Sequence, residues 1–219
     1  MIQHPTTIAS VLLLAISTVA ASGADQTIWD QCQGTRDADA SIVACSRILQ
    51  APGETNANRA IAYYVRAAVY RLKGDSDQAT ADYTKAIESN SRYADAYVSR
   101  GIVYQAMGDK DRAVADYSKA VEIDPQHSHA YLNRGKAFEA KGDSDQAIAD
   151  YSKVIEINPT DSEAHLRRGI AYRIRGNSDS AVADFTAAIE INPKRRRCLQ
   201  QSGHCLSLFE RNRPRNRRL

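Results

Sequence analysis

Four cysteines and five histidines are the residues of this sequence best suited to metal binding or to covalent cross-linking. Cys32 and Cys45 form one pair along the chain, and Cys198 and Cys205 form a second pair. In an oxidising compartment we expect a Cys32–Cys45 disulfide. Closing a loop of that size adds about 3 kcal/mol of stability in the chain-entropy model. The alternative is two free thiols that fill contacts between helices.

The strongest candidate for a metal site combines Cys198 with His204 and Cys205. Its spacing matches no compact ligand knuckle, adjacent ligands are awkward in one site, and a fourth ligand is missing. The remaining histidines of interest lie in polar stretches and are expected to be exposed to solvent: His127, His129 and His165. The sequence therefore predicts no metal site and no cofactor.

Carboxylates recur along the chain with a fixed spacing. The clearest series has one aspartate every 34 residues: Asp82, Asp116, Asp150 and Asp184. A carboxylate that recurs with a repeat is expected on a solvated face of that repeat rather than in a catalytic site. No glycine-rich phosphate loop, nucleophile elbow or His-Glu-x-x-His motif is present. We therefore predict that the protein is not an enzyme.

Other residue types recur with the same 34-residue interval from residue 60 to residue 195. Glycine marks the turn of each unit: Gly74, Gly108, Gly142 and Gly176. These glycines are expected to end a first helix with positive φ, and the Asp or Asn that follows each of them is expected to cap a second helix. The period predicts four helical hairpins, at residues 60–93, 94–127, 128–161 and 162–195.

Each predicted hairpin carries small and aromatic residues at fixed places. The small residue of the first helix is Ala67, Gly101, Gly135 or Gly169. The aromatic residue of the second helix is Tyr83, Tyr117, Tyr151 or Phe185. We expect each small residue to lie against an alanine of the second helix, so that the two helices approach closely and the aromatic rings fill the grooves beside them.

The motif Tyr-x-x-Arg-Gly-x-x-Tyr, followed by Gly-Asp, Ala-x-x-x-Tyr and Pro, resembles the tetratricopeptide repeat. The resemblance covers residues 60–195 and implies an all-α fold, an α-solenoid of helix-turn-helix hairpins in a right-handed superhelical array. The sequence departs from the family pattern by carrying an arginine where an apolar residue is common: Arg66, Arg100, Arg134 and Arg168. We expect these side chains to pack through their stems while their charged heads stay in water.

In this family the first helices line a concave groove that receives a peptide. By resemblance, the groove-facing residues are Tyr64, Ala68, Arg71, Leu72, Val98, Ile102, Gln105, Leu132, Lys136, Glu139, Leu166, Ile170 and Arg173. The clamp for a terminal carboxylate that some relatives carry is absent, because Tyr64, Ala68 and Val98 take the places of its Lys and Asn. The resemblance implies a protein-interaction scaffold that binds a peptide or protein partner in an apolar groove. The alternatives for the groove are the protein's own terminal segment and self-association with a second copy.

The residues before the repeats predict export. Residues 8–21 are an uncharged run that is too short to span a bilayer and ends in small residues. This pattern predicts a cleaved signal peptide at residues 1–24 and a secreted or periplasmic protein, with a retained anchor and a buried or mis-started segment as alternatives. Residues 25–59 are predicted to form a degenerate hairpin and a linker, because residues 41–49 resemble the second helix at 147–155.

The C-terminal segment breaks the pattern. From Arg195 to Leu219 the chain has eight arginines and one acid, although its overall net charge is only +3. Three interpretations of residues 196–219 stay open: a poorly ordered or non-native terminus, a basic tail that attracts polyanions, and a capping helix. The basic tail supplies an alternative function, binding to anionic membranes or nucleic acid, which the repeat pattern does not favour.

Overall fold

The computed structural model describes residues 24–34 and 37–195, and these residues form ten helices and no strand. The helices are α1 (Gln26–Gly34), α2 (Ala38–Gln50), α3 (Asn56–Leu72), α4 (Ser76–Ser89), α5 (Ala94–Ala106), α6 (Lys110–Ile123), α7 (Ser128–Lys141), α8 (Ser144–Ile157), α9 (Ser162–Ile174) and α10 (Ser178–Ile191). The predicted signal peptide, the C-terminal tail and the Cys198, His204, Cys205 cluster lie outside the described residues. Within the described residues, no helix is long and apolar enough to cross a membrane.

The chain divides into two compact units, unit 1 up to Pro125 and unit 2 from Gln126 onward. In unit 1, α1 packs on α2, α3 on α4 and α5 on α6, and each hairpin also packs on the next through α2 with α3 and α4 with α5. In unit 2, α7 packs on α8, α9 on α10, and α8 on α9. The predicted fold class, an all-α solenoid of helical hairpins, is confirmed.

The ends of the helices follow the predicted capping chemistry. Backbone N–H groups in the first turns of the second helices donate to the capping side chains Asp75, Asp109, Asp143 and Asn177. The four turn glycines have φ between 78° and 85°, a region that a side chain makes costly. One boundary differs: α3 begins at Asn56, inside the predicted linker, because the Thr55 side chain accepts from the Asn58 N–H and starts the helix early.

The small residues of the first helices lie against aromatic rings. A Cβ added at Gly101 would lie 2.7 Å from Cε1 of Tyr117, and one added at Gly135 would lie 2.7 Å from Cε1 of Tyr151. The predicted close approach is therefore present, but its main partner is the ring of the second helix rather than an alanine. The flat ring covers the glycine because it fills a wider surface than a methyl group can.

The recurring arginines and aspartates form buried ion pairs, which corrects two expectations. Arg100 donates from Nε and Nη2 to the Asp116 carboxylate at 2.9 and 2.8 Å, and the same forked pairing recurs between Arg66 and Asp82, Arg134 and Asp150, and Arg168 and Asp184. The four carboxylates are only 2–6% exposed, so they do not lie on a solvated face. The arginine heads bind these carboxylates instead of water, because a buried carboxylate requires a charged donor.

The same arginines also connect successive hairpins. Arg100 Nη1 donates to Thr84 Oγ1 at 2.9 Å, and Arg168 Nη1 donates to Ser152 Oγ at 2.9 Å. Arg66 Nη1 makes the corresponding contact with Ser46 Oγ at 2.7 Å. Ser46 thus occupies the place of Ser152, in agreement with the alignment of residues 41–49 with 147–155.

The first hairpin has a core of its own. Trp29, Cys32, Cys45 and Ile48 are at most 2% exposed and pack with Val65 of α3. The expected disulfide between Cys32 and Cys45 is present and joins α1 to α2. Because α1 and α2 are short helices, this bond and the contact with α3 hold them in place.

Candidate partner-binding faces of the first helices

The residues predicted to face a groove fall on four helices. They define two surfaces, one in each unit. The face of unit 1 consists of Tyr64, Ala68, Arg71, Leu72, Val98, Ile102 and Gln105. The face of unit 2 consists of Leu132, Lys136, Glu139, Leu166, Ile170 and Arg173. Three members are buried and serve the core: Ala68, Val98 and Leu132. The others are at least partly exposed.

On the face of unit 1, Tyr64 packs against two tyrosines that are not members of the face. The Tyr64 ring lies 5.7 Å from the Tyr83 ring and 5.0 Å from the Tyr93 ring, measured between centroids. Burial raises the pKa of Tyr83 to about 12, against a smaller opposing effect of Arg71, and burial raises the pKa of Tyr93 as well. These phenols therefore stay protonated and neutral at physiological pH.

The face of unit 2 carries a network of ion pairs. Glu163 accepts from Lys136 Nζ at 2.8 Å and from Arg167 Nε at 2.9 Å. Arg167 also reaches Glu139 Oε2 at 3.3 Å, to which the Tyr151 hydroxyl donates at 2.7 Å. Burial alone raises the pKa of Glu163, but the hydrogen bonds and charges of Lys136 and Arg167 outweigh it and hold that pKa at about 2.

Glu163 and Arg167 are members of this network that the sequence prediction missed. Their i, i+4 spacing on α9 could have indicated an ion pair between them, because residues with this spacing share one side of a helix. Their bonds to Lys136 and Glu139 join α9 to α7, and no local spacing indicates that contact.

One polar contact joins the two helices within a hairpin. The Tyr117 hydroxyl donates to Gln105 Oε1 at 2.9 Å, and Tyr151 makes the corresponding bond to Glu139. In the first repeat this place holds Arg71, which lowers the pKa of Tyr83 against the larger effect of burial. Arg173 occupies this place in the last repeat, where Phe185 has no hydroxyl. Its buried Nε has no hydrogen-bond partner within the part of the chain that the structure describes.

An exposed apolar side chain lies at the C-terminal end of three of the described first helices. Leu72 is 45% exposed, Met107 47% and Ile174 61%. Leu72 and Ile174 are the last residues of α3 and α9, and Met107 caps α5. Apolar side chains of this size favour burial by a partner.

The prediction that the histidines are exposed to solvent does not hold for all of them. His165 is only 9% exposed, which contradicts the expected exposure. Its Nδ1 lies 3.0 Å from Asp184 Oδ1 and its Nε2 lies 3.2 Å from the carbonyl oxygen of Pro159, so hydrogen bonds hold it inside the hairpin. His127 caps α7 and His129 is exposed. Among the described residues, no cluster of three metal-ligating side chains occurs.

Comparison with known proteins identifies the repeat. A family model described as tetratricopeptide repeat matches residues 98–162 and 132–195, and a model described as TPR repeat matches residues 67–108. Together these matches cover more than half of the chain. The chain belongs to the tetratricopeptide repeat (TPR) family. TPR proteins are generally non-enzymatic scaffolds, so the fold supports a role in protein–protein interaction.

Solved TPR structures resemble the chain. The crystal structure of MamA has a TM-score of 0.68 and 25% identity, covering 80% of this chain and 98% of MamA. YrrB, described as a TPR protein with an unusual peptide-binding site, has a TM-score of 0.64 and 22% identity over 76% of this chain and 84% of its own. The first TPR of Spaghetti, bound to an HSP90 peptide, has a TM-score of 0.53 and 23% identity over 55% and 98%. No curated protein sequence matches the chain significantly.

Proposed function

We propose that this TPR protein is an exported scaffold that binds a peptide or protein partner on the faces of its first helices. The observation that carries the proposal is the exposure of Leu72 and Ile174, 45% and 61%, at equivalent ends of α3 and α9. Covering a large apolar side chain contributes about 1.5–3 kcal/mol, so a few such anchors suffice for specific binding.

Each face combines apolar and polar side chains. In unit 1, Leu72 and the partly exposed Ile102 lie with Gln105 and Arg71. In unit 2, Leu166 and Ile170 lie beside the ion pairs of Lys136 and Glu139. Apolar side chains supply affinity, while polar groups at their edge select among partners.

The comparisons support a peptide or protein as the partner. YrrB and Spaghetti are described as binding peptides. Their identities to this chain are only 22% and 23%, so they indicate what the fold can accept and do not identify a ligand.

The Cys32–Cys45 disulfide supports export, because structural disulfides persist in oxidising compartments. Mass spectrometry of the protein from the cell envelope, or from the medium, tests this part of the proposal. A protein without residues 1–24, with its disulfide intact, is the expected result. An unprocessed protein with reduced thiols contradicts export.

The binding experiment compares charged substitutions at exposed positions. In a double variant, Leu72→Glu places a carboxylate on the face of unit 1, and Ile174→Glu places one directly beside Arg173 of the face of unit 2, without filling or emptying the core. Val43→Glu, at a residue of α2 that is 52% exposed, is the matched control. Partners captured from the envelope fraction by the full chain are expected to fall at least tenfold for the double variant and to stay unchanged for the control. Equal recovery from both variants contradicts the proposal.

Far-UV circular dichroism verifies that each variant is folded. Sedimentation at several concentrations shows whether the captured partner is a second copy of the chain. Loss of self-association in the double variant would identify the faces as a self-association surface.

A further inference from the structure

The second helix of a hairpin meets the first helix of the next hairpin through small and apolar side chains. In unit 1, Ala86 and Ile87 of α4 pack with Ala96 of α5. In unit 2, Val154 of α8 packs with Ala164 of α9 at the equivalent places. The alanine of each following first helix therefore lies against the last turns of the preceding second helix.

A second contact of the same kind lies nearer the start of the second helix. Val103 of α5 packs with Ala67, Ala79 and Tyr83 of the preceding hairpin. On α10 the places of the two contacts form what we call the end surface: Ala181, Phe185, Ala188 and Ile189. All of these except Ile189 are at most 1% exposed, like their equivalents in α4, although no described helix follows α10. This is the burial expected of a surface that another part of the chain covers.

α10 also differs in charge from the other second helices. Lys119 binds Glu122 in α6, and Lys153 binds Glu156 in α8, each at 2.8 Å. Ala187 takes the place of the lysine in α10, which contains acidic residues and no basic one: Asp179, Asp184 and Glu190. Such a helix favours a positively charged neighbour, and the chain from Arg195 onward carries eight arginines.

The turn after α10 is built like the turn that begins a first helix. Asn158 ends α8, its Oδ1 accepts from the N–H two residues later at 3.2 Å, and its carbonyl oxygen accepts from the Asp161 N–H at 3.1 Å. Asp161 then caps α9. Asn192 makes the same two bonds after α10, to Lys194 at 3.2 Å and to Arg195 at 3.0 Å. Arg195 therefore occupies the capping position of a following first helix.

The 34-residue interval continues beyond Arg195 at the places that pack inward. In α9 these places hold three small residues, all buried: Ala164, Gly169 and Ala171. One interval later the chain again has residues of small size: Cys198, Gly203 and Cys205. The tyrosine and the arginine of the motif do not continue, because Leu199 and Ser202 take their places. The segment thus keeps the inward-packing positions of a first helix and loses the rest of the motif.

We propose that residues 196–208 form one more first helix, which packs on the end surface and buries Cys198 and Cys205 as thiols. Cys198 lies against Ala188, because its equivalent Ala96 packs with Ala86. Cys205 lies against Phe185, because its equivalent Val103 packs with Tyr83.

The helix determines the redox state of these two cysteines. Residues seven apart share one side of a helix and lie about 10 Å from each other along its axis. A disulfide requires Cα atoms within about 7 Å. Cys198 and Cys205 therefore stay unbonded to each other even in an oxidising compartment, in contrast to Cys32 and Cys45, which are joined.

Thiol labelling of the full chain, with its Cys32–Cys45 disulfide intact, tests the proposal. N-ethylmaleimide modifies accessible thiols, and mass spectrometry of proteolytic fragments locates each adduct. We expect Cys198 and Cys205 to react at least tenfold more slowly in the native protein than in urea, and to form no disulfide with each other in air. A smaller difference in rate, or a Cys198–Cys205 disulfide, overturns the proposal.

Two substitutions place the same carboxylate on different sides of the proposed helix. Cys198→Asp directs it at Ala188, whereas Gln200→Asp directs it away from the end surface and is the matched control. Labelling of Cys205 is expected to be at least tenfold faster in Cys198→Asp and unchanged in Gln200→Asp, because a buried carboxylate without a partner displaces the helix. Equal labelling rates in the two variants contradict the proposed packing.

Dilution distinguishes a helix of the same chain from a second copy. Protection by the same chain does not depend on protein concentration, so the labelling rates should stay constant as the protein is diluted to a monomer, verified by sedimentation. A rate that rises on dilution would show that a second copy covers the end surface, which overturns the proposal. Neither result bears on partner capture by the faces of the first helices, so the proposed function is tested separately.

Discussion

The faces of unit 1 and unit 2 use the same places on the first helices but present different chemistry. In unit 1, the Tyr64 ring packs at a tilt against the rings of Tyr83 and Tyr93, and Ile102 occupies the position that Lys136 occupies in unit 2. In unit 2, Lys136 and Glu139 are tied into ion pairs with Glu163 and Arg167. Behind both faces, the same glycine–ring contacts and arginine–aspartate pairs recur. The packing of the hairpin is thus shared, while its surface is free to vary.

The largest loss of stability is expected at the buried arginine–aspartate pairs, which both units share. Asp116→Ala in unit 1 and Asp150→Ala in unit 2 each leave a largely buried arginine without its carboxylate. Breaking a buried pair in this way costs about 3–5 kcal/mol, so both variants should lose that much stability in urea unfolding followed by circular dichroism. Glu88→Ala and Glu190→Ala, at exposed places in the same two units, are controls that should change stability by less than about 0.5 kcal/mol. A loss below about 1 kcal/mol in one unit only would show that the cores differ.

The next largest loss of stability is expected in unit 1 alone. Cys32→Ala with Cys45→Ala removes the disulfide, which we expect to cost the first hairpin about 3 kcal/mol. Trp29 is the only tryptophan of the chain and is 2% exposed, so its fluorescence reports on this hairpin. Its emission should shift to longer wavelength at lower urea, while hydrogen exchange in α7–α10 stays as in the wild type. An unchanged emission midpoint, or faster exchange throughout unit 2, contradicts this expectation.

A smaller effect belongs to unit 2 and depends on pH. Because the pKa of Glu163 is lowered to about 2 in the folded chain, its stabilising contribution is complete above its ordinary value of 4.5 and disappears as the pH falls toward 2. With a third of the side chain exposed, we expect Glu163→Gln to cost about 1 kcal/mol at pH 7 and nothing near pH 2. Urea midpoints at both pH values measure the difference, with the more exposed Glu156→Gln as control. The same deficit at pH 7 and pH 2 would refute the electrostatic origin.

The smallest effect on stability is expected from a substitution that makes the face of unit 2 more like the face of unit 1. Lys136→Ile gives unit 2 the side chain that unit 1 has at Ile102, and Glu163 keeps its bond to Arg167. Since a partly exposed ion pair contributes little, the unfolding free energy should stay within about 0.5 kcal/mol of the wild type. Arg167→Gln, which removes two bonds of the network, should cost more, about 1 kcal/mol. A larger loss for Lys136→Ile than for Arg167→Gln would place the centre of the network at Lys136.

The hairpins themselves were predictable because their signals are local and repeated. Gly142 needs positive φ and the adjacent Asp143 caps the next helix, so a single unit reveals both, and the regular recurrence of the unit multiplies the evidence. The environment of Asp150 was not predictable in this way. A recurring carboxylate is compatible with a solvated face and with a buried pair, and only the packing of α7 on α8 places Arg134 against it.

The candidate faces, too, were only partly predictable from the sequence. The spacing of Lys136, Glu139 and their equivalents predicts which side of a helix they share, but it does not predict their partners. Leu132 has the spacing of a face residue and is nevertheless 8% exposed, because it packs with Tyr151 and Val154. The missing hydroxyl at Phe185 is visible in the sequence, yet its consequence for Arg173 appears only when the two helices are placed together.

The amino-acid sequence by itself determined the helices, their turns and caps, and the order of the hairpins, since each depends on residues a few positions apart. The tertiary structure alone decided which charges are buried, which are paired across hairpins, and which buried donors of the described residues are left without an acceptor. These properties depend on distances between residues far apart in the chain, and a change of a few ångströms separates a solvated charge from a buried pair.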